Sequence, residues 1–159
     1  MDNDIRKLID DNWEDIKELI AQKAEAEQKP KTIWDLSVGD KAEYYRLYSD
    51  GDVTKLSFDS YYDEKSREAG NAFLTEEEAK FECERRSIEA IMRKYSKPFK
   101  FNKHNYCLVY SHYNESVNIE SYGVFNCGVP CFETKEIAQQ VINEIGEDRL
   151  KKYWFGVKE

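Results

Sequence analysis

Residues 73–79 read FLTEEEA, and residues 132–138 read FETKEIA. The two stretches share phenylalanine, threonine, glutamate and alanine at a constant offset of 59 residues. Thr75 and Glu78 form the capping box typical of a helix N-terminus, and glutamates in the first turn suit the helix dipole. We therefore predict a helix that runs from Thr75 to about Tyr95, and a related helix in the second copy.

Each predicted helix follows a predicted β-hairpin. The four hairpin strands are residues 42–48, 52–58, 105–112 and 116–125. The turn at Asp50-Gly51 supports the first hairpin, because glycine supplies the positive φ that a tight turn needs. Residues 59–70 are polar and predict a loop. Gly146 is expected to end the second helix, and the tail after it to form one helical turn and a short strand.

The repeated unit predicts an α+β fold. Each unit has one apolar helix face and one apolar sheet face, and two units together close a core because each face needs a cover. We expect one antiparallel sheet with both helices on a single face. This predicts a single domain at residues 33–159, made of two related halves at 33–98 and 99–159.

Residues 1–29 are predicted to form a separate amphipathic helix. Apolar side chains recur at three- and four-residue spacing between residues 4 and 27. Pro30 stops this pattern and begins a linker at residues 30–32. The helix either docks on its own domain, or pairs with a second copy or lies in a partner's groove.

The charge is uneven along the chain. The net charge is −8, with 21 acidic and 11 basic side chains in residues 1–79, against 11 and 13 in residues 80–159. An acidic first half repels nucleic acid and membrane surfaces and attracts basic protein surfaces, although such charge can also serve solubility alone. The start of the chain lacks a secretory pattern, and no apolar run approaches bilayer length. We therefore expect a cytoplasmic protein with reduced cysteines.

The usual catalytic motifs are not visible in the sequence. The chain has two histidines and seven glycines, with no phosphate loop and no nucleophile elbow. We expect a protein that is not an enzyme and needs no cofactor. The strongest metal candidate combines Cys107, His112, Cys127 and Cys131, but its spacing is unlike structural zinc sites, so we expect core thiols and no metal. The acids Asp50, Asp52, Asp59 and Asp63 lack calcium-loop spacing and are expected to be solvated turn residues.

Residues 93–104 form a basic segment interleaved with aromatics. Such a mixture can follow a phosphate backbone and stack bases, or it can be a cationic helix C-terminus followed by a linker with inward aromatics. The candidate ligand-binding residues, two tyrosines of the first hairpin included, are Arg93, Lys94, Lys97, Lys100, Lys103, Tyr44 and Tyr48. The tyrosines on one face of the first hairpin either form an exposed binding surface, where tyrosine is enriched, or pack in the core.

Part of the chain resembles small accessory proteins of phages and prophages of Gram-positive bacteria. The residues that carry the resemblance are Trp34-x-Leu-x-Val38-Gly-Asp-Lys41, Tyr48–Gly51, Arg67–Ala79, Glu84–Arg86 and Ile145–Tyr153. The likeness spans about residues 33–159 and carries no catalytic residues. It implies a mobile-element setting, in which small acidic proteins often inhibit host defence, as anti-CRISPR proteins do by binding a nuclease effector.

Three hypotheses follow for the function. The first is an acidic inhibitor that blocks the basic nucleic-acid-binding surface of a host protein. Its expected contacts lie on the N-terminal helix at Asp10, Asp11, Glu14, Asp15 and Glu18. The second is a module that takes up nucleotides or single-stranded nucleic acid, although the charge makes direct nucleic-acid binding the weaker expectation. The third is a structural or assembly protein that forms homo-oligomers, for instance through the N-terminal helix.

Overall fold

The computed structural model describes residues 12–28, 30–123 and 128–158. The helices are α1 (Trp13–Gln28), α2 (Tyr61–Glu68), α3 (Glu76–Tyr95), α4 (Lys135–Ile145) and α5 (Glu147–Arg149), which continues into a π-helical segment (Leu150–Trp154). The strands are β1 (Glu43–Leu47), β2 (Val53–Ser57), β3 (Ala72–Phe73), β4 (Asn105–Ser111) and β5 (Ser116–Tyr122). These elements confirm the predicted α+β class. Of the predicted N-terminal helix, residues 1–11 lie outside the described residues.

Apart from α2, which belongs to the first half alone among the described residues, the same order of elements recurs in the two halves. A hairpin is followed by a short segment that pairs antiparallel with the first hairpin strand, and then by a threonine-capped helix. Phe73 pairs with Tyr45 of β1, and Phe132 pairs with Tyr106 of β4. In the first copy, the hydroxyl of Thr75 accepts a hydrogen bond from the backbone N–H of Glu78 at 3.2 Å.

The strands form two sheets, so the prediction of one sheet is wrong. The first sheet has the order β2-β1-β3, and the second consists of β4 and β5. β3 is two residues long and leads almost directly into α3, so its free edge is too short to continue the ladder. At the other edge, Thr54 and Lys55 of β2 are exposed, and a lysine on an edge strand disfavours further pairing.

The buried side chains form two clusters, and α3 reaches both parts of the molecule. The smaller cluster, in the first half, contains Leu36, Tyr44, Phe58 and Ala72. The larger cluster joins β4, β5, α4 and the C-terminal segment, and it includes Ile88 and Met92 of α3. α3 also packs against all three strands of the first sheet. This helix therefore connects the two halves.

Two local predictions are wrong for identifiable reasons. Residues 59–70 were predicted as a loop, yet α2 forms there because the Asp63 carboxylate accepts hydrogen bonds from the backbone N–H groups of Asp59 and Ser60, at 3.1 and 2.8 Å. The predicted C-terminal strand does not form within residues 155–158. The backbone N–H of Phe155 instead bonds to the carbonyl of Leu150, which closes the π-helical segment. None of the helices in the described residues combines the length and apolar character needed to cross a bilayer.

Candidate functional site

Helix α1 exposes an apolar stripe. Trp13, Leu19 and Ile20 are 47%, 64% and 60% exposed, and Ile16 between them is half-buried. At 100° per residue, these four side chains fall within about one third of the helix circumference. Among the side chains that the structure describes, neither buried cluster includes one from α1. The stripe therefore remains available to another surface.

Three acidic side chains of α1 lie on the opposite side of the helix. Glu14, Asp15 and Glu18 are exposed, and the helical rotation places them away from the apolar stripe. Lys17 pairs with Glu14 at 2.9 Å, and such an exposed pair contributes little to stability. The other two predicted contacts, Asp10 and Asp11, lie outside the described residues. The structure thus places three of the five predicted acids together on one exposed face.

The second candidate site is a lysine-lined cavity of about 490 Å³ in the second half. Its wall is formed by the segment before β4, by β4 itself and by the N-terminal turn of α4. The charged residues that line it are Lys97, Lys100, Lys103, Lys135, Glu133 and Glu136. The volume is within the range of pockets that hold small molecules. Of the predicted ligand-binding residues, the structure brings three lysines to this cavity.

The loop beside this cavity is held by one buried amide. Asn105 is 4% exposed, and its side-chain nitrogen donates to the carbonyls of Lys100 and Lys103 at 2.9 and 3.0 Å. The Asn105 side-chain oxygen accepts from the backbone N–H of Lys100 at 2.9 Å. Asn102 sits at the loop tip with a φ of 57°, a conformation that asparagine tolerates better than most residues. These contacts fix where the lysines leave the backbone.

The cavity carries both paired and unpaired lysines. Glu133 forms ion pairs with Lys97 and, at 3.5 Å, with Lys100. Lys103 and Lys135 have no ion-pair partner within the described residues. Four lysines against two glutamates leave the rim cationic, in a chain whose net charge is −8. The rim therefore favours an anionic ligand.

Two aromatic rings border the same cavity. The rings of His104 and Tyr106 are stacked with centroids 6.0 Å apart and planes inclined by 27°. Nδ1 of His104 lies 3.0 Å from the Ser121 hydroxyl, which fixes the imidazole orientation. An exposed ring at the rim of a cationic cavity is a surface on which a planar group can stack.

The other predicted ligand-binding residues lie elsewhere. Arg93 pairs with Glu89 along α3. Lys94 lies 3.2 Å from Glu144, and Tyr95 and Glu144 raise the pKa of Lys94. Neither Arg93 nor Lys94 lines the lysine-lined cavity. Arg93 instead borders a second pocket together with Lys97.

The two tyrosines proposed as ligand contacts are also displaced from the cavity. Tyr44 is completely buried and donates a hydrogen bond to the Asp63 carboxylate at 2.6 Å. Tyr48 is 42% exposed and packs against the Arg46 guanidinium, with 5.9 Å from the guanidinium carbon to the ring centroid. Tyr44 therefore belongs to the core, and its assignment as a ligand contact is wrong.

Asp63 is the centre of a buried polar network that the sequence did not reveal. It is 4% exposed, so the prediction of a solvated turn residue is wrong. Besides Tyr44, it accepts hydrogen bonds from the Arg46 guanidinium at 2.5 Å and from the Ser60 hydroxyl at 2.6 Å. Burial opposes the charged form, but these hydrogen bonds prevail and lower the pKa of Asp63 to about 2. All acceptor sites of Asp63 are engaged inside the fold, so its role is structural.

Neither the cysteines nor a comparison of the chain with known proteins assigns a function. Cys107 and Cys131 contact each other in the second half, and Cys127 of the zinc candidate lies outside the described residues. Among the described residues, no group of three or more histidine, cysteine or acidic side chains could hold a metal ion. No protein-family model, no curated protein and no solved structure matches the chain. The apolar stripe of α1 and the lysine-lined cavity are therefore the two candidate functional surfaces among the described residues.

Proposed function

We propose that the protein acts by binding a partner protein through α1, and not by catalysing a reaction. The observation that carries this proposal is the uncovered apolar stripe of Trp13, Leu19 and Ile20, on a helix whose other side is acidic. An amphipathic helix with such a stripe is the form of ligand that fits a groove on another protein.

The two sides of α1 have different roles in this proposal. Full burial of a leucine or isoleucine side chain contributes about 1.5–3 kcal/mol, so the stripe supplies most of the affinity. Glu14, Asp15 and Glu18 contribute mainly to the rate and selectivity of association, because exposed charges steer encounter and are screened by salt. The partner that fits both sides has an apolar groove bordered by basic side chains.

The biological setting of the proposal comes from the sequence resemblance alone. An accessory protein of a phage or another mobile element acts in the host cytoplasm, where a defence effector carries a basic nucleic-acid-binding surface. An acidic helix seated there competes with phosphate groups, because both occupy the same cationic surface. We therefore propose inhibition of such an effector as the function.

The test separates the acidic face from the apolar stripe. The chain is immobilised and used to capture proteins from a Gram-positive host lysate, and nucleic-acid binding by the captured partner is then measured. The acidic-face variant replaces Glu14, Asp15 and Glu18 by lysine. The stripe variant replaces Leu19 and Ile20 by serine.

A matched control has the same change in net charge. It reverses Asp52, Asp59 and Glu115 to lysine, which are exposed acids outside α1. We expect the stripe variant to lose capture at any salt concentration and the control to behave as wild type. The acidic-face variant should lose capture at low salt, where the reversed charges repel the basic partner, and approach wild type above about 0.15 M salt, where charges are screened. Equal capture by all variants, or capture without any effect on nucleic-acid binding, would refute the proposal.

A second candidate function is supported by the cationic cavity. Its four lysines and the His104–Tyr106 stack suit a small ligand with a phosphate and a planar ring, such as a nucleotide. The test is a thermal-shift titration with nucleoside mono-, di- and triphosphates and with inorganic phosphate. The variant that reverses Lys103 and Lys135 to glutamate should abolish any shift, while reversal of Lys55 and Lys80, exposed lysines outside the cavity, should preserve it. Absence of a shift in wild type excludes this function.

The third hypothesis, an assembly protein, is tested with the same variant of Leu19 and Ile20. If α1 pairs with a second copy, the stripe variant converts a dimer into a monomer on a sizing column. A dimer that persists in the stripe variant shows that α1 is not the self-association surface.

A further inference from the structure

Cys107 and Cys131 lie directly opposite each other on adjacent antiparallel segments. Tyr106 and Phe132 exchange both of their backbone hydrogen bonds, at 3.1 and 2.7 Å. In an antiparallel ladder the next pair along the strands, here Cys107 and Cys131, is then a non-hydrogen-bonded pair. Such pairs bring their Cα atoms to about 4.5 Å, which is closer than hydrogen-bonded pairs.

This position satisfies the geometric requirement for a disulfide. A disulfide needs Cα atoms about 4.4–6.8 Å apart, and the expected spacing falls inside this range. The two Sγ atoms are 3.4 Å apart, so a bond of about 2.05 Å needs side-chain rotation but no displacement of the strands. Cys83 lies elsewhere, with its Sγ 3.6 Å from the carbonyl oxygen of Gly51.

The two thiols are buried, yet they border a cavity. Cys107 is 4% exposed and Cys131 is 7% exposed. Both line a cavity of about 220 Å³, whose remaining wall is largely apolar and includes Tyr110 and Phe155. This volume admits a small neutral oxidant such as hydrogen peroxide.

We propose that Cys107 and Cys131 are a site of reversible oxidative modification, at which a small peroxide converts the two thiols into an intramolecular disulfide. One thiolate attacks the peroxide O–O bond, which gives a sulfenic acid and releases hydroxide. The opposing thiol then displaces the sulfenic oxygen as water and forms the S–S bond. In total, two thiols and one hydrogen peroxide give one disulfide and two waters. The two sulfur atoms lose the two electrons that the peroxide gains.

The environment of the thiols sets the rate of this reaction. Burial, together with the neighbouring Cys131, raises the pKa of Cys107 to about 12. Thiolate is therefore scarce at neutral pH, and oxidation is slow there. We expect the rate to increase as the pH rises from 7 to 9.

The bond would join β4 to the segment that leads into α4. This segment also contributes Cys131 to the wall of the lysine-lined cavity. The chain between the two bonded cysteines forms a closed loop, which contains the β4–β5 connection and β5. A bridge over a loop of this length constrains the unfolded chain and raises the folded-to-unfolded ratio roughly three-hundredfold.

The test uses the full-length chain, reduced and then treated with hydrogen peroxide. We expect the intact mass to fall by two hydrogen atoms and the number of free thiols in denaturant to fall from four to two. Digestion after glutamate cleaves at Glu115 and Glu120, which separates the peptide of Cys107 from that of Cys131 unless they are linked. Dithiothreitol should restore all four thiols.

Single cysteine-to-serine variants identify which two cysteines form the disulfide. Cys127→Ser and Cys83→Ser should retain the disulfide, whereas Cys107→Ser and Cys131→Ser should lose it. Because a serine at a buried position can impair folding, the peptide linkage in wild type and in Cys127→Ser is the deciding measurement. A thiol count that stays at four, or a bond that involves Cys127 or Cys83, overturns the proposal.

Discussion

Replacement of Asp63 by asparagine tests the buried network that organises the first half. The side chain has the same shape but no charge, so the Arg46 guanidinium loses its partner at 2.5 Å. The amide nitrogen takes the place of one carboxylate oxygen. It therefore points a donor either at the Tyr44 hydroxyl and the Arg46 guanidinium, which donate to Oδ1 in the native chain, or at the Ser60 hydroxyl, which donates to Oδ2. Removal of one member of a buried ion pair typically costs about 3–5 kcal/mol. We expect a loss of this size at pH 7.

The pKa of Asp63 gives an independent measure of the same contribution. It falls from 3.8 to about 2 on folding. At about 1.4 kcal/mol per pKa unit, this difference corresponds to about 2.5 kcal/mol of stability. Because the folded pKa is the lower one, the contribution is complete above about pH 5 and disappears as the pH falls through 2. The gap in unfolding free energy between wild type and Asp63→Asn should shrink by about 2 kcal/mol between pH 5 and pH 2, where about half of the Asp63 carboxyls of the folded chain are protonated.

The assay is urea denaturation followed by far-UV circular dichroism at several pH values. Asp59→Asn is the matched control, since Asp59 is an exposed acid four residues away. We expect its unfolding free energy to stay within about 0.5 kcal/mol of wild type. If Asp63→Asn is as stable as wild type at pH 7, or if the gap does not change between pH 5 and pH 2, the role assigned to Asp63 is wrong.

Three further substitutions have defined outcomes. Thr134→Ala removes the hydroxyl that accepts from the N–H of Ile137 at 3.2 Å, and should lower the unfolding free energy by about 1 kcal/mol in chemical denaturation. Asn105→Ala leaves the carbonyls of the cavity loop without their donor and should cost about 1–3 kcal/mol, with faster hydrogen exchange in residues 100–105. Ile20→Ser changes an exposed side chain and should leave the melting temperature within about 2 °C of wild type while it weakens capture of the partner.

Helices with strong terminal signals could be predicted from the sequence. The capping box of Thr75 and Glu78 places the start of α3 correctly, and the glycine at 146 ends α4 with a φ of 91°. α2 was missed because its eight residues have no apolar period, and its decisive cap is the buried carboxylate of Asp63, an acid that looks solvated in the sequence. Burial of a charged side chain depends on partners such as Arg46, which lies 17 residues away, and local patterns do not carry this information.

In the candidate sites, too, contacts between residues close in sequence could be predicted, whereas contacts between distant residues could not. The loop lysines are close in sequence, so their shared cavity could be anticipated from the basic segment. Tyr44 could not be placed correctly, because alternation along β1 does not tell which face the core covers. The contact between Cys107 and Cys131 depends on the pairing of Phe132 with Tyr106, and the matching position of Phe73 in the first half was the available signal for it.

Helix α3 also determines how cooperatively the protein unfolds. Its side chains complete the core of the second half, and the same helix packs on the first sheet. If one half unfolds, the other therefore loses part of its buried core. Denaturation should therefore proceed as one cooperative transition in calorimetry, without a plateau for a surviving half. A fragment that ends at residue 98 would present Ile88 and Met92 to water, and such newly wetted apolar surface makes aggregation its expected fate.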